Sequence, residues 1–160
     1  MLPTVYVETT VISYLTSHPS RDVVVAGHQE TTREWWEHRL ADFEAFISPV
    51  VMEEITRGDP EMARARVQAV ANLGLLEVDS AVEELADAYY SAMQLPERAR
   101  ADAYHVALAA WHGMDYLVTW NCSHIASGFV RKRVDEINFR QGIRSTTICT
   151  PEELMEIPNV

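Results

Sequence analysis

The chain has 160 residues, 48% of them hydrophobic and 23% charged, which suits a single domain over residues 1–160 with a sizeable core and excludes a disordered chain. Its formal net charge is −11, so it lacks the basic footprint with which non-specific nucleic-acid binders neutralise phosphates, and a polyanionic ligand would need a local metal, basic stripe or partner. No apolar stretch nears the roughly 20 residues of a membrane span, Met1-Leu2-Pro3-Thr4-Val5 lacks the basic start of a signal peptide, and Cys122 and Cys149 have no metal-finger spacing, which together predict reduced thiols in a cytoplasmic protein.

In chain order, Val5 to Val7 is a strand, Thr10 to Leu15 a short helix, and Asp22 to Leu40 a long polar helix carrying Trp35 and Trp36. Phe43 to Ile47 is the second strand. Ser48-Pro49 opens the next helix, serine as N-cap and proline at the first helical position, with Gly58 closing it as the residue after the C-cap. A helix from Pro60 to Leu73, a strand near Leu75 to Val78, and helices over Ser80 to Met93 and Pro96 to His112 follow. Tyr116 to Thr119 is a strand, Phe129 to Arg140 a helix, and Thr146 to Cys149 the last strand. Thr150-Pro151-Glu152-Glu153 is a capping box that starts a terminal helix. Short continuous apolar strands alternating with helices predict a mostly parallel sheet covered on both faces, whose ligands bind beyond the carboxyl ends of the strands.

Two polar residues stand at such ends: Glu8 after Thr4-Val5-Tyr6-Val7, and Asn121 after Tyr116-Leu117-Val118-Thr119-Trp120. Two more sit on helices. Glu54 lies three and four residues from Val51 and Val50 and so points along the edge of the apolar arc, whereas Glu53 points away. Asp102 is one turn before Val106 on a helix apolar from Ala103 onward, where a carboxylate needs a partner because a buried unpaired charge is costly. Mg²⁺ or Mn²⁺, hard cations that favour oxygen ligands, would serve. Each residue also has an ordinary structural use: Glu8 as a helix cap, Asp102 paired with Arg98 or His105, Asn121 in a turn. What favours a cation site is the conjunction of the four.

Other chemistry is poorly represented. There is no Gly-rich phosphate loop and no Gly-x-Ser-x-Gly elbow. The six histidines form no His-x-x-x-His pair, though His124, three residues after Asn121, can contact a phosphate or cap a turn. Trp35-Trp36 reads as one core-facing and one rim-facing side chain, with base stacking the alternative. The basic residues Arg64 and Arg66, Arg98 and Arg100, and Arg131-Lys132-Arg133 read as solvated helix faces.

Val7-Glu8-Thr9-Thr10-Val11-Ile12, Ser48-Pro49-Val50-Val51-Met52-Glu53-Glu54-Ile55, Asp102-Ala103-Tyr104-His105-Val106-Ala107 and Leu117-Val118-Thr119-Trp120-Asn121 resemble, in order and spacing, the motifs of the PIN domain. More narrowly they resemble VapC-like toxins of type II toxin–antitoxin systems. The resemblance implies a three-layer α/β/α sandwich with a central parallel sheet and an acidic cluster binding Mg²⁺ or Mn²⁺. By position the cluster is Glu8, Glu54, Asp102 and Asn121, with Thr10 and Thr119 as polar neighbours. The implied activity is RNA phosphodiester hydrolysis. The implied partners are an RNA substrate, a cognate antitoxin and a second copy of the chain. Two positions depart from the pattern: Glu8 and Asn121 stand where aspartate is usual. Three carboxylates still suffice for one divalent ion, and the missing charge weakens a second ion more than the first. The alternative reading is a degenerate PIN-like domain that binds RNA or a protein without cleavage. A phospho-acceptor receiver would need paired acids at the first strand end, which this chain lacks.

Overall fold

The computed structural model describes residues 1–156. Five strands, β1 (Thr4–Val7), β2 (Glu44–Ile47), β3 (Gly74–Leu75), β4 (Tyr116–Val118) and β5 (Thr147–Cys149), form one sheet in the order β3-β2-β1-β4-β5. Every pairing is parallel. The connecting helices are α1 (Thr9–Thr16), α2 (Val23–His38), α3 (Pro49–Ile55), α4 (Pro60–Ala69), α5 (Ser80–Met93), α6 (Arg100–Trp111) and α7 (Gly128–Gln141). Right-handed crossovers put the helices that step from β1 toward β3 on one face and those that step toward β5 on the other. The packing agrees: α1 meets α2, α3 and α4, while α5 meets α6 and α7. This is the expected α/β/α sandwich.

Because both faces are covered, the central strands read as unbroken apolar runs: Val5, Tyr6, Val7, Leu117 and Val118 are wholly buried. In α6, Ala103 and Val106 to Ala110 are buried as their composition predicts, and Trp35 is buried while Trp36 is only partly so. Side-chain N-caps start most helices: Asp22 for α2, Ser48 for α3, Asp59 for α4, Asp79 for α5 and Ser127 for α7.

Several boundaries differ from expectation: α4 ends at Ala69 and not Leu73, and Glu97–Ala99 is a separate 3₁₀ turn ahead of α6. The third strand is Gly74–Leu75, not Leu75 to Val78. It is an edge strand that pairs only with the end of β2 (Phe46 and Ile47), so nothing extends it further. The α3 helix ends earlier than Gly58 implies: Thr56 is the C-cap, and Gly58, with φ +85°, turns the chain two residues later toward Asp59. The capping box does form, Thr150 N donating to Glu153 Oε1 (3.0 Å) and Glu153 N to Thr150 Oγ1 (3.4 Å), but it starts a 3₁₀ turn, Glu152–Leu154. Any continuation falls on residues 157–160, outside the described residues.

At the amino edge of the sheet, Asp115 ties β1 to β4. Its Oδ2 accepts from Thr4 N (2.8 Å) and Thr4 Oγ1 (3.1 Å), and its Oδ1 from Arg144 (2.6 Å). The Thr4 backbone bond and then Arg144 hold its carboxyl below the ordinary range. A depressed folded-state pKa stabilises the protein above the unfolded value, ~3.9 for aspartate, and that stability is lost as pH falls through the folded value. Asp115→Asn is therefore expected to lower the melting temperature near neutral pH and to converge with wild type in strong acid; thermal melts across this range, showing no such convergence, would refute the clamp.

Candidate active site

The order β3-β2-β1-β4-β5 makes the chain step in opposite directions from β1 and from β4, and the crevice beyond their carboxyl ends is where such sheets take ligands. The parallel register sets Val7 beside Val118, so Glu8 and Thr119 emerge as neighbours, with Glu8 N donating to Val118 O (3.1 Å).

Glu8 is only 2% exposed. Its Oε2 accepts from Thr10 N (3.0 Å), Thr10 Oγ1 (2.5 Å) and Thr119 Oγ1 (2.7 Å). It is thus the N-cap of α1 as well as a buried carboxylate. Both threonines are themselves held by backbone: Trp120 N donates to Thr10 Oγ1 (2.8 Å) and Asn121 N to Thr119 Oγ1 (2.9 Å). Burial pushes the Glu8 carboxyl up, against the smaller pull of His105 and the threonine bonds.

Glu54 and Glu53 separate as their helical positions predict. Glu53 is exposed and pairs with Arg57 (2.5 Å). Glu54 turns inward, where its Oε1 accepts from Thr9 Oγ1 (2.8 Å) and lies 2.6 Å from His105 Nε2. Burial favours its neutral form, but the His105 bond and charge, with Thr9 and Arg57, outweigh it and hold the carboxyl down. Asp102 Oδ2 lies 3.0 Å from His124 Nδ1, so its hydrogen-bond partner is His124 and not Arg98. Burial raises the Asp102 carboxyl, opposed by His105, by a bond from the Asn121 side chain and by His124. Asn121 also has its turn role, its Oδ1 accepting from His124 N (3.0 Å).

His105 is the residue that sequence reasoning undervalued. It is wholly buried on α6, with Nδ1 2.7 Å from the Tyr6 hydroxyl, which in turn lies 2.8 Å from Ser48 Oγ. Glu8 Oε1 is 4.0 Å from its Nε2. Burial alone would lower the imidazole pKa; the Glu54 bond and the charges of Glu8, Glu54 and Asp102 together raise it. Three carboxylates from three elements therefore act on one buried imidazole. The available hint was a histidine three residues after Asp102 within an apolar run, a place where core packing alone does not need one.

Among the described residues, no group of three or more His, Cys, Asp or Glu side chains is arranged to hold a metal ion. The carboxylates are instead engaged by threonines and by the two histidines. The donor set nonetheless fits a hard cation in kind: three carboxylates and an amide supply only oxygen ligands. Burial raises the Glu8 and Asp102 carboxyls, and a cation beside them would favour their ionised forms.

Neither a protein-family profile nor a curated protein sequence matches the chain. Solved structures do. The Mycobacterium tuberculosis toxin VapC20, described as cleaving the Sarcin–Ricin loop, superposes with a TM-score of 0.59 at 18% identity, over 78% of this chain and 95% of that one. VapBC2 of Rickettsia felis, bound to a DNA fragment from its promoter, superposes with a TM-score of 0.58 at 12% identity, over 92% and 98%. The chain thus has the PIN-like fold of the VapC proteins.

Thr119→Val keeps the shape of the side chain and removes a donor from a buried carboxylate. Glu8 Oε2 keeps its two bonds from Thr10, so the loss is that of one hydrogen bond, about 0.5–1.5 kcal/mol, rising to about 3 kcal/mol where the acceptor is charged. Urea unfolding is expected to show that loss, and a change below about 0.5 kcal/mol would mean that Thr119 does not support Glu8.

Proposed function

We propose that the chain is a metal-dependent endoribonuclease that hydrolyses RNA phosphodiester bonds and serves as the toxin of a toxin–antitoxin pair. The observation that carries this reading is that Glu8 and Glu54 come within 4.0 Å and 2.6 Å of the buried His105 Nε2, on the same helix as Asp102 and one turn from it, at the sheet's switch point. Glu8, Glu54, Asp102 and Asn121 would hold Mg²⁺ or Mn²⁺. Held there, the ion would supply Lewis-acid activation of a water and positive charge against the phosphate. The residues themselves do the positioning. Thr10 and Thr119 fix the Glu8 carboxylate, His105 holds Glu54, and His124 with Asn121 orients Asp102 at the edge of the site. The partly exposed His124 would meet a substrate phosphate.

The acidic net charge is offset only locally. Arg57, Arg100, Arg131 and Arg133 are paired with Glu53, Asp87, Glu153 and Glu136. Lys132 and Arg133, with the exposed Phe129, line a cavity of about 380 Å³ between the end of α5 and the start of α7. A bound divalent ion would supply positive field at the carboxylates themselves. An RNA substrate, an antitoxin partner and a homodimer belong to this reading. The fold shared with VapC20, a Sarcin–Ricin-loop-cleaving toxin, and with VapBC2, a promoter-bound complex, supports the first two. A cytoplasmic setting is part of the proposal too; no helix among the described residues is long and apolar enough to cross a membrane.

A second reading rests on Asn121, whose amide oxygen is committed to a turn bond: a domain that binds RNA or a protein without cutting it. The two separate in a cleavage assay on total RNA with and without Mn²⁺, comparing wild type with Asp102→Asn. Outer-shell partners of a metal ligand are worth about 10–100-fold, so loss of a ligand carboxylate is expected to reduce Mn²⁺-dependent cleavage at least about 100-fold. Cleavage surviving Asp102→Asn unchanged would sink the nuclease reading. Wild type that binds RNA but neither cuts it nor takes up Mn²⁺ would establish the second.

A further inference from the structure

We propose that Tyr6, backed by Ser48, is a positioning residue that aims Glu54 into the site through His105. The four side chains close a ring across three elements. Ser48 caps α3, its Oγ lies 2.8 Å from the Tyr6 hydroxyl on β1, that hydroxyl lies 2.7 Å from His105 Nδ1 on α6, and His105 Nε2 returns 2.6 Å to Glu54 on α3. Ser48, Tyr6 and His105 are all wholly buried, so solvent is not available to replace any member.

The direction of the protons follows from the ends of the chain. Val51 N donates to Ser48 Oγ (3.3 Å), which leaves the serine proton free to go to the Tyr6 oxygen. With the imidazole neutral, Tyr6 then donates to His105 Nδ1 and the Nε2 proton faces the Glu54 carboxylate; once the ring is protonated, Nδ1–H donates to the Tyr6 oxygen instead and the same contacts hold. The reverse order in a neutral imidazole would set the Nε2 lone pair against that carboxylate and leave the Ser48 proton without an acceptor. The Tyr6 hydroxyl has no packing purpose, since phenylalanine would fill the same space in an apolar strand; a buried tyrosine hydroxyl is there for its partner. With Nδ1 held, the imidazole cannot swing, and neither can the Glu54 oxygen it grips. Thr9 holds that same oxygen (2.8 Å), so Glu54 Oε2 is the atom left to turn toward a ligand.

The role in metal binding rests on the proposed function; the hydrogen-bond ring does not. The test compares wild type with Tyr6→Phe in two measurements, nitrogen-15 NMR of the His105 ring at alkaline pH and calorimetric titration with Mn²⁺. Wild type is expected to carry its ring proton on Nε2, slow to exchange, with Nδ1 showing the shift of a hydrogen-bond acceptor. Tyr6→Phe should free Nδ1, speed exchange of the Nε2 proton and weaken Mn²⁺ binding about 10-fold or more. A wild-type proton on Nδ1, or a Tyr6→Phe protein unchanged in both measurements, would overturn the proposal. If wild type takes up no Mn²⁺, the metal reading fails and proton exchange alone decides the role of Tyr6. Should Tyr6→Phe not fold, Ser48→Ala removes the proton supply to Tyr6. It should give the same two changes to a smaller degree, and their absence counts equally against the proposal.

Discussion

The parallel pairing of β1 with β4 is the constraint on which the site depends. These two strands carry the connections that leave the sheet in opposite directions, so their carboxyl ends face a crevice that no crossover helix covers. Their register places Glu8 next to Thr119, and the Thr119 hydroxyl reaches the Glu8 carboxylate at 2.7 Å. A slip of one residue would turn Glu8 or Thr119 to the opposite face and separate them. Close packing of Val5, Val7, Leu117 and Val118, with the ties of Thr4 to Asp115 at one end and Glu8 N to Val118 O at the other, is what resists the slip. A stretch of apolar packing thus specifies where a carboxylate stands.

Around that point the structure solves an electrostatic problem. Glu8, Glu54 and Asp102 are partly or wholly withdrawn from water, and like charges so placed oppose one another. His105 acts on all three at once, and His124 takes a share of Asp102. Their environments differ in outcome: Glu54, with a direct imidazole bond, is held in the charged form, while burial pushes Glu8 and Asp102 toward the neutral one. A site with two carboxyls raised and one lowered is responsive to added positive charge, which is how the proposed function would use it. The ring through Tyr6 and Ser48 keeps the imidazole from drifting as that charge arrives.

Much of this could be read from residue patterns, for identifiable reasons. Glu54 separated from Glu53 because helical spacing assigns one to the apolar edge and the other to solvent. Glu8 and Asn121 were found because strands buried on both faces are unbroken apolar runs whose ends are easy to see. What escaped were contacts between elements. That Asp102 meets His124, and that His105 reaches Glu54, depends on how α3, α6 and the loop after β4 come together, which no local spacing encodes. Tyr6 was hidden for a different reason: inside an apolar strand its ring reads as core, and its hydroxyl gains meaning only once His105 and Ser48 are opposite it. The third strand is shorter than its composition suggests because β2 ends at Ile47, whose carbonyl takes the last ladder bond from Leu76 N and leaves Glu77 and Val78 no partner strand.

Anomalous diffraction from crystals grown with Mn²⁺ would show whether Glu8, Glu54 and Asp102 jointly hold a divalent cation. The expected result is a manganese peak in contact with these carboxylates at the carboxyl ends of β1 and β4, and its loss in Asp102→Asn. A crevice without a peak at saturating Mn²⁺, with the three carboxylates still bound to His105, His124 and the threonines, would contradict the account.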